Sequence, residues 1–240
     1  MNIALIIAGG SGHRMGQDIP KQFIHVYDKP VLIYTMLGFQ SHPEIDAIEL
    51  VCIDGWESMV WAYARQFGID KLKWIVPAGA TAQESIRNGV FALEGKCADD
   101  DIVVVHDGIR PMVDTEVLSD VLAVCRRHGN AVTSLPYNEQ IFLVDAEQPD
   151  STQKYIPRET LRRVSTPQAY RFDLLLSSYR KAFEQGIGIY GSSYTNTMMS
   201  DLGVRLYFAK GSDKNLKLTT KDDLELFKAF LKAEKDTWLK

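Results

Sequence analysis

The sequence has 240 residues and a formal net charge of −4, with 45% hydrophobic and 24% charged residues. This acidic balance argues against a general nucleic-acid-binding protein, so any phosphate ligand must be held by a local basic site. No apolar run reaches the length of a membrane span, and the chain starts on a strand-like run rather than a signal peptide. We therefore expect a cytoplasmic protein with no membrane or nucleic-acid partner, and a single domain over residues 1–240. Cys52, Cys97 and Cys125 lack metal-ligand spacing and are expected to be reduced thiols.

Apolar runs and stretches of helical periodicity alternate along the first half of the chain. The predicted strands, each a short apolar run, cover residues 3–8, 47–53, 73–76, 101–106 and 130–135. The predicted helices cover residues 30–40, 56–67, 83–93 and 114–128, the last of them capped by Asp114. This alternation predicts an α/β, Rossmann-like fold: a mostly parallel sheet with helices on both faces. Ligands of such sheets bind beyond the carboxyl ends of the strands.

The texture of the sequence changes after Pro136. Residues 137–164 are polar, contain two prolines and show no long periodicity. A stretch of this length inside a compact domain is usually functional or protruding. The regular pattern then resumes, with a predicted helix over 172–185, a strand near 204–208 and a closing helix over about 220–231.

A glycine-rich loop follows the first predicted strand. The loop reads Gly9-Gly10-Ser11-Gly12-His13-Arg14-Met15-Gly16 and leads to Pro20-Lys21-Gln22. Three glycines within four residues allow backbone N–H groups to surround an anion, and the two cations can bind phosphate oxygens. The loop lacks the Gly-Lys-Ser/Thr of a Walker A motif and the third glycine of a dinucleotide-binding motif. It therefore predicts a triphosphate site of another kind, and the alternative is a tight turn with two surface cations.

These residues resemble the signature loop of the CTP-dependent cytidylyltransferases that act on polyol phosphates. The resemblance extends from about Asn2 to about Leu231, and two branches of the family are close. One branch acts on 2-C-methyl-D-erythritol 4-phosphate, and the other acts on ribitol 5-phosphate. The resemblance implies an enzyme that joins CMP to a polyol phosphate and releases pyrophosphate, with Mg²⁺ as cofactor. It also implies a homodimer formed through a protruding β-arm at about 137–165.

The resemblance assigns catalytic roles to four basic residues. Arg14 and Lys21 match the two cations that stabilise charge on the α-phosphoryl oxygens and on the departing pyrophosphate. Lys217, in a stretch that matches Asn-Ile-Lys-x-Thr, is expected to enter the site from a short strand and to position the attacking phosphate. Its alternative is an edge lysine whose charged end reaches solvent. Arg158 matches the arm arginine that holds the acceptor phosphate in the neighbouring subunit, and its alternative is a plain basic arm.

The stretch from His106 to Pro111 resembles the His-Asp-Ala-x-Arg-Pro motif of the same family. Asp107 is expected to orient acceptor hydroxyls or to hold a metal through water, and its alternative is a turn residue. Arg110 would either bind substrate or lock Asp107 in place. We interpret His106 as a core histidine whose ring is satisfied by backbone groups.

Cytosine recognition is expected from backbone groups of two loops. The first loop supplies Ala8, Gly9, Gly10 and Gly12, and the second supplies Gly79. Ser85 matches a family serine that would hydrogen-bond the base, and its alternative is an ordinary first-turn helix residue.

The chain also departs from the family pattern. Ala80 and Ala82 stand where an acidic residue and an arginine are usual, and residues 193–196 alter the common Thr-Asp-x-Ala. Gln140 replaces an arm threonine that helps to bind the acceptor phosphate, which leaves the acceptor open. Residues 56–57 and 99–102 lean towards the ribitol branch. The alternatives are a sugar-1-phosphate nucleotidyltransferase that uses another NTP, and a non-catalytic nucleotide-binding homologue.

Overall fold

A computed structural model describes residues 1–10, 19–191 and 194–235 of the chain. Within these ranges the strands are β1 (Asn2–Ala8), β2 (His25–Val26), β3 (Lys29–Pro30), β4 (Ala47–Cys52), β5 (Leu72–Pro77), β6 (Ile102–Asp107), β7 (Asn130–Pro136), β8 (Ile141–Leu143), β9 (Lys154–Ile156), β10 (Arg162–Arg171) and β11 (Phe208–Lys210). The helices are α1 (Val31–Ser41), α2 (Glu57–Gln66), α3 (Ala82–Ala92), α4 (Thr115–His128), α5 (Phe172–Gln185), α6 (Thr195–Asp201) and α7 (Lys221–Lys235). Lys21–Phe23 and Arg158–Thr160 are short 3-10 helices.

A seven-stranded sheet in the order β11-β7-β10-β6-β1-β4-β5 forms the centre of the fold. The strand β1 is parallel to both β4 and β6, and parallel pairing continues between β4 and β5 and between β11 and β7. The exception is β10, which lies antiparallel between β6 and β7. The predicted mostly parallel α/β sheet is therefore confirmed.

Both faces of the sheet are covered by helices, as the continuous apolar strands indicated. Side chains of β1 alternate between the faces: Ala4 and Ile6 join one buried cluster, and Ile3 and Leu5 join the other. The helices α1, α2 and α4 supply the first cluster, while α3, α5 and α6 supply the second. A smaller third cluster packs Phe227 of α7 against Ile109 and Leu218, next to the carboxyl end of β6.

The helix ends follow from local sequence. Thr81 and Glu84 form a reciprocal capping box at the start of α3, and Gly129 ends α4 in the left-handed conformation with φ of +85°. Asp114 stands at the N-cap position of α4, but its side chain makes no capping hydrogen bond. The prediction that Asp114 caps this helix is therefore right about position and wrong about the side chain.

Three elements differ from the sequence predictions. The long strand β10 falls partly within the stretch predicted to be irregular, which also contains the β8–β9 hairpin. A strand was predicted at 204–208, but the observed strand β11 covers Phe208–Lys210. It starts later because the Asn130 side chain donates to Arg205 O and accepts from Tyr207 N ahead of the strand. The helix α6 was not predicted, since only its two methionines are apolar.

The three cysteines are unpaired, as expected. Burial raises the pKa of each of their thiols to about 12, so they are protonated at neutral pH. In the described part of the chain, no helix combines the length and apolarity that crossing a membrane requires.

Candidate active site

The first part of the site is the glycine loop, whose backbone accepts hydrogen bonds from Gln22. Gln22 is buried, and its side-chain Nε2 donates to the carbonyl oxygens of Ala8 and Gly10, at 2.8 and 2.9 Å. The carbonyl of Ala8 also accepts from Ile53 N, so it has no capacity left for a nucleobase. Lys21 begins the same 3-10 helix, one residue before Gln22. The loop and the predicted cationic residue are therefore positioned by one short element.

The second loop, around Gly79, lies against the first. A Cβ on Gly9 would come within 2.5 Å of Ala78 Cβ, and a Cβ on Gly79 would come within 2.4 Å of Glu84 Cβ. Both positions therefore require glycine for close packing. A Cβ on Gly10, in contrast, would meet no atom of the described residues within 4 Å.

Ser85 shapes the Gly79 loop. Its Oγ accepts from Gly79 N at 3.0 Å and donates to Thr81 O at 2.9 Å. The hydroxyl is buried and occupied by its own loop, which favours a structural role over contact with the base. Ser85, Gly9, Gly10, Gly79, Ala80 and Ala82 contribute to the wall of a cavity of about 380 Å³, which we call the glycine lobe.

The third part of the site lies beyond the carboxyl end of β6, where Asp107 meets two cations. Arg110 Nε donates to Asp107 Oδ2 at 2.9 Å, and Lys217 Nζ lies 3.3 Å from the same carboxylate. Arg110 Nη1 also donates to the carbonyl oxygen of Asn215 at 2.8 Å. Arg110 therefore locks Asp107 in place and ties it to the segment that carries Lys217. The Asp107 side chain retains 22% exposure, so the carboxylate is reachable from the cleft.

The charges around Asp107 determine its protonation. Burial alone would raise its pKa, but the nearby Lys217 and Arg110 outweigh burial and hold the pKa below its usual value. His106, its neighbour, is fully buried, and burial lowers its pKa to about 4. The His106 Nε2 lies 3.1 Å from the backbone oxygen of Arg110, so the ring is neutral and donates there. His106 is therefore a core histidine as interpreted, but backbone groups satisfy only Nε2, since Nδ1 is buried without a partner among the described residues.

One continuous cleft connects these parts. A cavity of about 350 Å³, the polar lobe, is lined by Asp107, Arg110, Thr166, Tyr194, Asn196 and Lys217, among others. A second cavity of about 350 Å³, the tyrosine lobe, shares Tyr194 and Lys217 with the polar lobe and shares Thr81 and Ala82 with the glycine lobe. Lys217 Nζ lies between the carboxylate of Asp107 and the ring of Tyr194, whose centroid is 5.4 Å away. The cleft can therefore hold an elongated ligand pair along its length, with Lys217 near the middle.

Arg158 and Gln140 lie elsewhere, on the arm. They line a cavity of about 200 Å³ beside the β8–β9 hairpin, together with Tyr155 and Glu159. The Arg158 side chain is 54% exposed, donates to Asn138 O at 3.3 Å and pairs with Glu159 at 3.5 Å. The cavity next to Arg158 and the polar lobe have no lining residue in common.

The sequence predictions therefore divide into groups. Lys217, Asp107 and Arg110 come together in the polar lobe, although Lys217 lies on a segment without regular secondary structure and not on the predicted strand. Gly9, Gly10, Gly79 and Ser85 come together in the glycine lobe, whereas Ala8 is not one of its lining residues. Arg14 and Gly12 lie outside the described residues.

Sequence reasoning missed three residues that shape the site: Gln22, Thr166 and Asn196. Thr166 accepts from Asp107 N at 3.1 Å and lies 3.5 Å from its carboxylate. Gln22 and Thr166 each lie inside a family motif, so membership of the motif could have identified them as site residues. The signal for Asn196 was weaker: it lies in the stretch 193–196, which departs from the family pattern.

Comparisons with known proteins agree with this architecture. The family model described as 2-C-methyl-D-erythritol 4-phosphate cytidylyltransferase matches residues 2–233. The ribitol-5-phosphate cytidylyltransferase of Lacticaseibacillus paracasei is 57% identical over 98% of this chain and 99% of that protein. The 2-C-methyl-D-erythritol 4-phosphate cytidylyltransferase of Clostridium novyi is 32% identical over 96% of each chain.

Solved structures show the same fold. The 4-diphosphocytidyl-2C-methyl-D-erythritol synthase of Anaerococcus prevotii superposes with a TM-score of 0.81 at 22% identity, over 96% of this chain and 98% of that one. The Thermus thermophilus 2-C-methyl-D-erythritol 4-phosphate cytidylyltransferase superposes with a TM-score of 0.73 at 24% identity, over 95% and 98% of the two chains. The family model and the curated relatives define the protein as a nucleotidyltransferase. The chain belongs to the 2-C-methyl-D-erythritol 4-phosphate cytidylyltransferase family.

Proposed function

We propose that this protein transfers the cytidylyl group of CTP to ribitol 5-phosphate and releases pyrophosphate. The observation that carries the choice of acceptor is the 57% identity, over nearly the whole chain, to a relative named for that activity. Three relatives named for 2-C-methyl-D-erythritol 4-phosphate are 32–34% identical. The polar lobe supports the proposal, since its side chains can hydrogen-bond a chain of hydroxyl groups.

The cleft suggests how the reaction proceeds. CTP occupies the glycine lobe with its triphosphate near the glycine loop, and the acceptor lies in the polar lobe. An oxygen of the acceptor phosphate forms a bond to the α-phosphorus of CTP while the bond from that phosphorus to the β-phosphate oxygen breaks. The acceptor phosphate is ionised near neutral pH, so the reaction requires no protein nucleophile and no general base.

The basic residues then have distinct roles. Lys217, held by Asp107, lies near the junction of the lobes and positions the acceptor phosphate for attack. Lys21 and Arg14 neutralise charge on the α-phosphoryl oxygens and on the leaving pyrophosphate. Asp107 orients the hydroxyl groups of the acceptor, and it also orients the side chain of Lys217.

We also propose Mg²⁺ as the cofactor, carried mainly by the triphosphate. Among the residues that the structure describes, no group of three or more His, Cys, Asp or Glu side chains could hold a metal. The carboxylate of Asp107 already has two cations beside it, so it would contact the ion through water. This donor set fits Mg²⁺, which keeps several waters and binds substrate phosphates with few protein ligands. When bound, the ion would neutralise charge on the departing pyrophosphate.

The arm at about 137–165 is proposed to join two subunits into a homodimer. Phe142, Leu143, Val144 and Tyr155 expose apolar side chains on or next to the β8–β9 hairpin. Such a patch on a protruding hairpin is suited to burial against a second copy. In the dimer, Arg158 and Gln140 would reach the acceptor phosphate bound by the neighbouring subunit.

Pyrophosphate release by the purified protein tests the function. The assay contains CTP and Mg²⁺, with ribitol 5-phosphate and 2-C-methyl-D-erythritol 4-phosphate as parallel acceptors. We expect kcat/KM to be at least about tenfold higher with ribitol 5-phosphate. A preference for the other acceptor would contradict the proposed substrate. Binding of CTP without pyrophosphate release would favour a non-catalytic homologue, and turnover with another NTP and a sugar 1-phosphate would favour the remaining alternative.

A further inference from the structure

Asn196 is a buried amide in the wall of the polar lobe. Its exposure is 8%, and it lies in the second position of α6. Its Oδ1 accepts a hydrogen bond from the backbone N–H of Thr197 at 3.0 Å. Since a backbone N–H can only donate, this bond requires the oxygen at that position and fixes the orientation of the carboxamide. The two N–H donors of Nδ2 must therefore lie on the other side of the group.

Those donors have no partner among the described residues, which sets Asn196 apart from its neutral neighbours in the lobe. Thr197 Oγ1 accepts from Tyr194 N and donates to Tyr194 O. The Gln168 side chain accepts from the hydroxyl of Tyr170 and lies 3.4 Å from the carbonyl oxygen of Ser165. The residue is about nine-tenths buried, and its two open donors remain accessible from the cavity, where a ligand oxygen can accept from them in place of water.

We propose that Asn196 binds the acceptor, with its Nδ2 donating to a hydroxyl oxygen of the polyol chain. This inference rests on the proposed function and deepens it. The ammonium of Lys217 and the guanidinium of Arg110 belong to the same lobe and suit the acceptor phosphate. A neutral amide donor suits an uncharged hydroxyl, which can accept a hydrogen bond.

The same geometry contributes to acceptor choice. A chain that carries a hydroxyl at this point provides an acceptor for these donors. A chain that lacks a hydroxyl there leaves the donors without a ligand partner, and sites built around such a hydrogen bond discriminate against the deoxy analogue. Asn196 therefore favours an acceptor with a hydroxyl at the contacted carbon over one without it.

The substitution Asn196→Asp tests this role with little change of shape. The aspartate keeps an oxygen for Thr197 N–H and replaces the two donors by a second acceptor. We expect the KM for ribitol 5-phosphate to rise about tenfold or more, while the KM for CTP changes less than about twofold. Gln185→Glu, at the exposed end of α5 and away from all three lobes, makes the same change from amide to carboxylate and is expected to leave both KM values unchanged.

A second experiment identifies the hydroxyl. Deoxy analogues of ribitol 5-phosphate are compared in the wild-type protein and in Asn196→Ala, and the effects of the two deletions are tested for additivity. Removal of the contacted hydroxyl should cost about tenfold in the wild-type protein and nearly nothing in the variant. Calorimetry with ribitol 5-phosphate and a non-hydrolysable CTP analogue measures acceptor binding without turnover.

The outcomes separate this inference from the proposed function. An active wild-type protein whose acceptor KM is unaffected by Asn196→Asp would overturn the role of Asn196 alone. The same holds if every hydroxyl deletion is additive with Asn196→Ala. A wild-type protein that neither binds nor turns over ribitol 5-phosphate would overturn the proposed acceptor and, with it, this contact.

Discussion

Lys217 Nζ lies 3.3 Å from the carboxylate of Asp107, although 110 residues separate them in the sequence. The lysine also faces the ring of Tyr194 and lines both the polar lobe and the tyrosine lobe. An ammonium group on a flexible side chain would otherwise sample many positions, at a cost in entropy when substrate binds. The carboxylate thus preorganises the cation where the polar lobe meets the tyrosine lobe.

We predict that Lys217→Met lowers kcat/KM by about a hundredfold or more, because the acceptor phosphate loses its positioning cation. Asp107→Asn keeps the lysine but removes the charge that holds it, and should lower kcat/KM by about tenfold to a hundredfold. The double variant should lose less than the product of the two single losses, since Asp107 acts in part through Lys217. Steady-state kinetics with both substrates checks this, and additive losses would show that the two residues act separately.

Lys21 is predicted to act on the nucleotide side of the reaction. Lys21→Met should lower kcat by about a hundredfold or more with modest loss of stability, because the cation acts on charge that develops in the transition state. Arg14→Ala is expected to behave in the same way. Lys73→Ala is a matched control, since Lys73 is an exposed lysine whose Nζ donates to Asp70 O. Wild-type turnover in Lys21→Met would contradict the assignment of the catalytic cation.

Gln22→Ala should weaken CTP binding without direct contact with CTP. The substitution leaves the carbonyl oxygens of Ala8 and Gly10 without the donor that holds the loop in shape. Loss of a buried donor costs about 1–3 kcal/mol, so a lower melting temperature should accompany the higher KM for CTP. Gln66→Ala, on the exposed face of α2, is the control. If the loss of stability occurred with an unchanged KM for CTP, Gln22 would be a core residue only.

The sequence was informative where local pattern decides structure. Apolar runs located β1, β4 and β6, because strands covered on both faces are apolar throughout. The strand β10 was missed because it begins with two arginines and contains Pro167 at a register shift against β7. Its strand character comes from pairing with β6 and β7 on either side, which no local pattern encodes.

The site shows the same division. The resemblance identified Lys217 and Asp107 as site residues, because each lies in a motif made of consecutive residues. It gave no role to Asn196, because the signal there is an unpaired amide that becomes visible only when Thr197 and the cavity wall are in place. Hydrogen-bond completeness is a property of the folded chain and cannot be read from residue types.

Glu49 is predicted to make stability depend on pH. It is fully buried in β4, both of its oxygens lack a hydrogen-bond partner among the described residues, and the nearest cation is Lys96 at 3.8 Å. Burial raises its pKa from 4.5 to about 8, despite Lys96. The native state then binds a proton that the unfolded state releases between these values. Stability should therefore fall as pH rises from about 5 to 8.5, by roughly 2–4 kcal/mol.

Glu49→Gln isolates this effect, since its amide does not titrate. Urea unfolding at pH 5.5 and pH 8.5 gives the free energy of unfolding of each protein at both values. The variant should lose most of the difference between the two pH values, whatever its absolute stability. An equal pH dependence in Glu49→Gln and in the wild-type protein would show that another group titrates.

The arm provides the last prediction, which concerns the active site of a neighbouring subunit. Arg158→Ala should raise the KM of the acceptor more than that of CTP, because the arginine is proposed to hold the acceptor phosphate. Arg162→Ala, a neighbouring exposed arginine, should have little effect if the arm is more than a basic surface.

Mixing two impaired variants, at an acceptor concentration well below the KM of Arg158→Ala, tests whether Arg158 acts across a dimer. Arg158→Ala has an intact Lys217, and Lys217→Met has an intact arm, so a mixed dimer contains one complete site. After subunit exchange, about a quarter of the wild-type activity should return, since about half of the dimers are mixed and each has one working site. No recovery in a mixture that light scattering shows to exchange subunits would mean that Arg158 serves its own subunit. A wild-type protein that is monomeric at assay concentrations would contradict the proposed dimer itself.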